Sequence, residues 1–322
     1  MGLSASAEFS QIKSLGARWR GANLMQHQGG YNMFADYHIH TYFSDDSTYP
    51  MEQVVKDAID KGITDLCFTD HVDYGIKVDT DKLSPEQRQA LKGKIQNPNS
   101  EQYNVDYPAY VAEYQALREK YADKINLRLG MEFGLQTHTI PQYQKLFDSY
   151  PFDFIIMSCH QVEDKEFWTQ DFQRGRTQEE YNQRYYDEIL SQVRNYHDYS
   201  VLGHLDLIAR YDKAGIYPFA KARDKIAEIL QIVIADGKGI ELNTSSVRYK
   251  IKNAKGEPEL TPSKEILSLY RELGGRILTI GSDSHRPEHL GAYIAEQTQE
   301  LKQLGFKEIC TFEKMQPIFH KL

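Results

Sequence analysis

The sequence predicts an α/β barrel whose functional residues gather at the carboxyl ends of its strands. Three observations lead there. Short, near-continuous apolar runs alternate with helical patterns along the whole chain, as parallel strands buried on both faces do. Seven such runs are clear and an eighth is weaker, which points to a closed barrel, with an open sheet as the alternative that periodicity leaves standing. Most of the runs end in a histidine or a carboxylate.

The strand candidates are residues 33–40, 63–71, 125–134, 152–160, 199–206, 239–245 and 276–285, with the weaker eighth at 306–312. Between them, Val54, Val55, Ala58 and Ile59 form one helical apolar face after Pro50, and Ile226, Ile229, Leu230 and Val233 form another. A third helix is expected to take Thr261 as its N-cap and Pro262 in its first turn, to run through Ile266, Leu267 and Leu269, and to stop at Gly274. Two polar stretches break the rhythm. One, at about 73–106, contains Ser84-Pro85 and Asn97-Pro98, and the other, at 161–177, carries Phe167, Trp168, Phe172, Arg174 and Arg176. Each follows a strand that ends in histidine, so both read as lids or substrate walls, the first equally well as a surface insertion. Residues 1–32 lack an apolar h-region and read as a flexible leader or N-terminal extension, with Met33 as an alternative start. Residues 33–322 then form the barrel domain.

Composition narrows the function. The chain has 322 residues, 40% hydrophobic and 26% charged, and no apolar run approaches the ~20 residues that span a bilayer. A net charge of −8 argues against a nucleic-acid surface. It also means that an anionic substrate would need local positive charge, which bound metal ions supply. The cysteines Cys67, Cys159 and Cys310 cannot all pair and lack zinc-knuckle spacing, so free thiols in a reducing cytoplasm are expected. A Gly-rich phosphate loop, a Gly-x-Ser-x-Gly elbow and a Rossmann fingerprint are all missing, which counts against kinases, serine hydrolases and dehydrogenases.

The strand ends carry the chemistry. The first ends in Asp36-Tyr37-His38-Ile39-His40, and residues two apart in a strand share a face, so His38 and His40 can hold one ion. The next ends in Thr69-Asp70-His71, followed by Gly-Met-Glu132-Phe, Ser158-Cys159-His160, Gly203-His204-Leu205-Asp206 and Ser282-Asp283-Ser284-His285. A single histidine so placed is as well explained by an ordinary hydrogen bond. Six of the chain's 11 at one topological position are not. His27, His138, His197, His289 and His320 lack that placement and read as ordinary residues. Nitrogen and oxygen donors without thiolate suit zinc, manganese or iron. Cys159 turns to the face opposite His160 and reads as core. The donors exceed the needs of one ion, so two or three divalent ions are expected, with Glu132 as a bridge. Such a cluster suits hydrolysis of a phosphate ester.

In their order, DYHIH, TDH, MEF, SCH, GHLD and GSDSH resemble the polymerase-and-histidinol-phosphatase (PHP) superfamily, over residues 33–285. A lone HxH would be weak evidence; six elements in order are specific. The segments GHLDLIARY, ELNTS and GSDSH resemble its histidinol-phosphatase branch. The resemblance implies a distorted (β/α)7, TIM-like barrel with its metal site at the carboxyl face of the strands. It implies hydrolysis of a small phosphate ester, L-histidinol phosphate, in histidine synthesis, by in-line attack of a metal-bound hydroxide without a phosphoenzyme. His38, His40, Glu132 and Asp283 would hold a first ion, and Glu132, His160 and His204 a second. His71 and His285 would hold a third together with Asp46, for which Asp45 is the alternative. Arg210 matches an arginine that grips the substrate phosphate, a role its guanidinium fork suits, and Arg248 is a second substrate-binding candidate. Asp36, Asp70 and Asp206 read as carboxylates that orient metal-bound imidazoles, and Asp206 alternatively as the acid that protonates the leaving alkoxide. Glu163 or Asp164 reads as the carboxylate for the amino end of histidinol. The alternatives are a relative acting on another phosphate ester or nucleotide, and a metal-binding module without catalysis.

Overall fold

The computed structural model describes residues 34–97, 100–249 and 260–322. The expected leader and Met33 lie outside the described residues. Seven parallel strands form the barrel wall in chain order: β1 (Ala35–Asp36), β2 (Asp65–Phe68), β3 (Asn126–Gly134), β4 (Phe154–Ser158), β5 (Val201–Leu202), β6 (Gly239–Asn243) and β7 (Leu278–Gly281). The pair His71–Val72 continues β2 and adds to the far end of β3. The last strand returns to the first. Tyr37 N donates to Ile280 O at 3.1 Å and His40 N to Ser284 O at 2.8 Å, which closes the wall.

The helices longer than one turn are α1 (Met51–Asp60), α2 (Pro85–Leu91), α3 (Tyr107–Lys120), α4 (Ile140–Ser149), α5 (Gln178–Asn195), α6 (Phe219–Ala235), α7 (Lys264–Glu272) and α8 (Ile294–Gln303), and a single helical turn lies at Ser246–Tyr249. Alternation along the strands separates two cores. Leu66, Phe68, Ile155, Met157, Ile240 and Leu242 belong to the outer core with the helices, where α6 buries Ile226, Ile229, Leu230 and Val233 as expected. In α1, Val54, Val55 and Ala58 are buried and Ile59 is only partly so. Fully burying one such aliphatic side chain contributes about 1.5–3 kcal/mol.

Two expectations need correction. The cap of α7 is Ser263, whose Oγ accepts from Ile266 N at 3.3 Å. Thr261 instead pairs with Asn243 through a backbone bridge, and the cis Thr261-Pro262 peptide lies before the helix. Gly274 does end the segment, at φ +91°. The run at 306–312 is not an eighth wall strand. It forms β8 (Glu308–Glu313), paired antiparallel with β9 (Gln316–Lys321). Cys310 and Phe312 of β8 pack with Ala35, Tyr37, Cys67, Phe154, Ile156 and Val201 in a small second core. Phe312 N donates to Tyr37 Oη at 3.0 Å, and Lys314 N and Met315 N reach Asp153 at the start of β4, each at 2.9 Å. The hairpin thus caps the amino-terminal end of the barrel. An apolar run states that a strand is buried, not which surface buries it.

Both irregular stretches are built into the opposite end. In the first, Gly93 N donates to Tyr42 O at 2.9 Å, Gln96 N to Asp45 O at 2.8 Å, and Lys92 Nζ sits 4.3 Å from the Tyr42 ring centre. In the second, Gln161–Val162 and Lys165–Glu166 form a two-residue antiparallel ribbon, and Phe167 packs edge-on against Tyr185 of α5. Ile95, Gln96 and Gln102 from one stretch and Gln161, Glu166 and Trp168 from the other line a single cavity of about 460 Å³. They are walls of that cavity. Among the described residues no helix is long and apolar enough to cross a membrane.

Candidate metal centre

Glu132 is the hub. It lies on β3, fully buried, and strand register sets it opposite His71 on one side and Ile156 on the other. Its Oε1 meets His204 Nε2 at 2.8 Å, His160 Nε2 at 3.1 Å and Ser158 Oγ at 2.7 Å. Its Oε2 meets His71 Nδ1 at 2.9 Å, His38 Nε2 at 3.1 Å and His40 Nε2 at 3.5 Å. Asp283 Oδ1 stands 3.5 Å from His40 Nε2 and 3.6 Å from His285 Nδ1. Asp46 Oδ2 stands 3.0 Å from His285 Nε2 and 3.6 Å from His71 Nε2. Asp45 points elsewhere, its Oδ1 2.6 Å from Lys77 Nζ. The structure therefore brings together His38, His40, Asp46, His71, Glu132, His160, His204, Asp283 and His285, and leaves Asp45 out.

This donor set suits divalent ions on its own physical terms. Four groups of three residues, among them His38–His40–Asp283 and His71–Glu132–His160, offer donor atoms within 4.8 Å of one another. His38 Nε2, His40 Nε2, His71 Nδ1 and Glu132 Oε2 are buried and make no well-formed hydrogen bond. Each such atom costs about 1–3 kcal/mol when left unsatisfied, and here all four converge on one spot. Burial, reinforced by His285 and His71, pushes the His40 imidazole well below its usual range, so it is held neutral, the form that ligates a metal. Burial alone would raise the Glu132 carboxyl, but His38, His160 and His71 overcome it and hold it well below the usual carboxylate range.

The carboxylates that orient the imidazoles differ from those expected. Glu241 on β6 places Oε1 2.5 Å from His38 Nδ1, and its Oε2 accepts from His204 N at 3.1 Å. Asp73 Oδ1 lies 2.8 Å from His160 Nδ1. A Cβ on Gly134 would collide with both partners of that contact, which is why the strand is bare there. The three aspartates expected in this role hold backbone instead. Asp36 accepts from Ser282 N at 2.8 Å and Gly291 N at 2.9 Å, anchoring the loop after β7. Asp70 accepts from Thr41 N at 2.7 Å and Ser44 N at 3.0 Å, shaping the turn after β1. Asp206 accepts from Ser263 N at 2.8 Å and lines a separate cavity with Tyr186, Tyr217 and Ile266. Among the described contacts Asp206 meets Ser263 rather than an imidazole, and it is not among the residues that line the cavity of the cluster. A strand-end side chain meets whatever the neighbouring strand presents, and that is not encoded next to it in sequence.

Arg210 sits in the short turn Leu207–Tyr211 and lines the cavity, its side chain only 7% exposed. Nη2 donates to Ser245 Oγ at 2.7 Å, the guanidinium carbon lies 4.1 Å from the Tyr249 ring centre, and Nε is buried without a partner. Arg248, the second substrate-binding candidate, is not among the residues that line the cavity. It donates from Nη1 to Ser282 O at 2.7 Å and from Nη2 to Asp283 O at 2.8 Å. It thereby supports the left-handed backbone of Asp283, at φ 53°, rather than facing the cavity. Glu163 pairs with Arg176 and Arg184, and Asp164 with His138 and Gln136, so neither reaches the cavity. Sequence reasoning missed Glu241, Asp73, Lys77 and Glu166. A signal existed for two of them: a charged residue inside the apolar run Gly239–Asn243, and a carboxylate two residues after His71 on the same face.

Comparison with known proteins agrees with this geometry. The PHP domain family matches residues 36–245. A histidinol-phosphatase of Lactococcus lactis is 30% identical over 285 residues, covering 87% of this chain and 94% of that protein. The crystal structure of a histidinol phosphate phosphatase from Lactococcus lactis, complexed with zinc, L-histidinol and phosphate, matches with a TM-score of 0.73 at 29% identity, over 88% of this chain and 98% of that one. A structure from Listeria monocytogenes, 20% identical, matches with a TM-score of 0.60 over 81% of this chain and 99% of that one, and speaks for the fold. Barrel, donor cluster and sequence agree: the chain belongs to the PHP domain family, as an enzyme of its histidinol-phosphatase branch.

Proposed function

We propose that the chain hydrolyses L-histidinol phosphate to L-histidinol and phosphate, with two or three divalent ions (zinc, manganese or iron) as cofactors. Glu132 carries the reading. Both of its carboxylate oxygens face imidazole nitrogens, and unsatisfied buried donors surround it. The zinc, L-histidinol and phosphate in the solved Lactococcus relative support it. His38, His40, Glu132 and Asp283 would hold one ion, Glu132, His160 and His204 a second, and His71, His285 and Asp46 a third. When bound, such ions supply Lewis acidity to phosphoryl oxygens and acidify the attacking water.

The remaining work falls to the chain's own residues. Arg210 binds the phosphoryl group, with its buried, unspent Nε as one donor. Ser245 and Tyr249 hold its guanidinium in place beforehand, so less freedom is lost on binding. Glu241 and Asp73 fix the tautomers of His38 and His160, turning each Nε2 toward Glu132. A cavity of about 460 Å³ suits a small ester. Cys67 and Cys159 are buried with their thiols pushed up by burial, so neither is placed to form a phosphoenzyme.

The deciding experiment measures phosphate release from L-histidinol phosphate and from a panel of nucleotides and sugar phosphates, after chelation and metal add-back. Preference for L-histidinol phosphate that disappears with chelator supports the proposal. Metal-dependent turnover of the other esters alone would replace the substrate, and turnover of none would leave a binding module.

A further inference from the structure

One serine hydroxyl stands between the metal cluster and the arginine assigned to the phosphate. Ser245 is fully buried in the loop that follows β6. Its Oγ accepts from Arg210 Nη2 at 2.7 Å and lies 3.0 Å from Asp283 Oδ2 and 2.5 Å from Asn243 Oδ1. Backbone contacts fix its place. Ser245 N donates to Asn243 Oδ1 at 3.0 Å, Thr244 N to Gly281 O of β7 at 2.8 Å, and Arg248 N to Ser245 O at 2.8 Å. Arg210 Nη2 and Asp283 Oδ2 are 3.7 Å apart, close enough to attract and too far for a hydrogen bond. A guanidinium and a carboxylate so placed would gain by closing to a direct contact of about 2.7–2.9 Å. The serine answers both instead. It offers a lone pair to the arginine and holds a single proton, for which Asp283 and Asn243 compete.

We propose that Ser245 is a positioning residue that keeps Arg210 and Asp283 from pairing with each other. The proposal rests on the roles given above to those two residues, as phosphate binder and metal ligand. Each is needed elsewhere. Asp283 Oδ1 stands 3.5 Å from His40 Nε2 and 3.6 Å from His285 Nδ1, so its charge belongs to the cluster. Arg210 lines the cavity where the phosphoryl group is expected. A direct pair would occupy both at once, weakening the carboxylate's pull on a cation and removing guanidinium donors from the phosphate. Water would do little to loosen it, because the two side chains are only 7% and 9% exposed. Asn243 Nδ2, the other neighbour of Asp283 Oδ2, stands at 3.4 Å, so the serine is the closer support.

The test measures binding rather than turnover, on metal-loaded wild type, Ser245→Ala, Arg210→Met and the double variant. Calorimetry with inorganic phosphate and competition against a zinc chelator give two affinities for each protein. Ser245→Ala is expected to weaken both by about 10-fold, the effect of one hydrogen bond to a charged group. Arg210→Met leaves no guanidinium to close on Asp283. In that background, adding Ser245→Ala should change either affinity by less than about 3-fold, the non-additivity of residues that act through one another. Ser245→Thr, which keeps the hydroxyl, should retain both affinities. A metal loss of equal size with and without Arg210 would make Ser245 a plain support of Asp283 and overturn the proposal. So would a phosphate affinity that Ser245→Ala leaves unchanged. Because neither readout involves the ester, a wild type that ignores L-histidinol phosphate would overturn the substrate reading alone. Wild type that binds neither phosphate nor metal would overturn both.

Discussion

Asp73 Oδ1 lies 2.8 Å from His160 Nδ1, across 87 positions of sequence. The other nitrogen of that ring faces Glu132 at 3.1 Å, so the aspartate decides which nitrogen is offered to the cluster. Asp73→Ala should weaken metal affinity by about 10- to 100-fold, as loss of an orienting partner does. Competition against a zinc chelator measures it. Unchanged affinity would mean that His160 is held in place without Asp73.

Arg210→Lys keeps the charge but loses the fork. It should lower kcat/KM by about 10- to 100-fold and weaken inhibition by inorganic phosphate in parallel. If the phosphate inhibition constant stays put while kcat falls, Arg210 acts on something other than the phosphoryl group.

Bound metal should appear as stability. At about 100 times its dissociation constant, one ion adds about 2.7 kcal/mol, so chelation should lower Tm. In Glu132→Gln the difference between metal-loaded and chelated protein should shrink or vanish. Thermal denaturation of the four samples decides it.

Lys77 is buried between Asp45 and Asp73, and its amine is held charged against burial by both carboxylates. Lys77→Met strands two carboxylates and should cost about 3–5 kcal/mol in urea unfolding. Adding Asp45→Asn to it should restore part of the loss; no recovery would show that the pairing is not the source.

Burial pushes the Cys310 thiol up to about 11, whereas an unfolded thiol titrates near ~8.5. The folded state keeps this proton longer. Its stabilising contribution is therefore complete below ~8.5 and is lost as pH rises toward 11. The stability gap between wild type and Cys310→Ala should be wider at about pH 8 than at about pH 10.5. A gap that widens with pH would refute the neutral buried thiol.

Much of this was legible beforehand. The seven wall strands follow from apolar runs, and the convergence of His38, His40, His71, His160, His204 and His285 follows from their shared place at strand ends. The resemblance prefers Asp46 and keeps Asp45 as the alternative, and the structure turns Asp46 toward His285 and Asp45 toward Lys77. The polar partners were read less well. Asp36, Asp70 and Asp206 stand in the same motifs as the histidines, yet their carboxylates turn to backbone amides. Arg248, expected at the substrate, donates to two backbone carbonyls that no local pattern announces.

The sequence by itself determined the succession of parallel strands and helices, the rim on which the chemistry sits and the histidines that meet there, while closure of the wall was seen only in the contacts of β1 with β7. Period-two alternation and βα order are local properties, and they force successive strand ends onto one face. Only the tertiary structure decided that Glu241 and Asp73 orient the rings, that residues 308–313 cap the far end of the barrel, and that Glu166 rather than Glu163 or Asp164 reaches the cavity. Those outcomes depend on side chains brought from distant strands and loops to within a hydrogen bond, and no local pattern carries that distance.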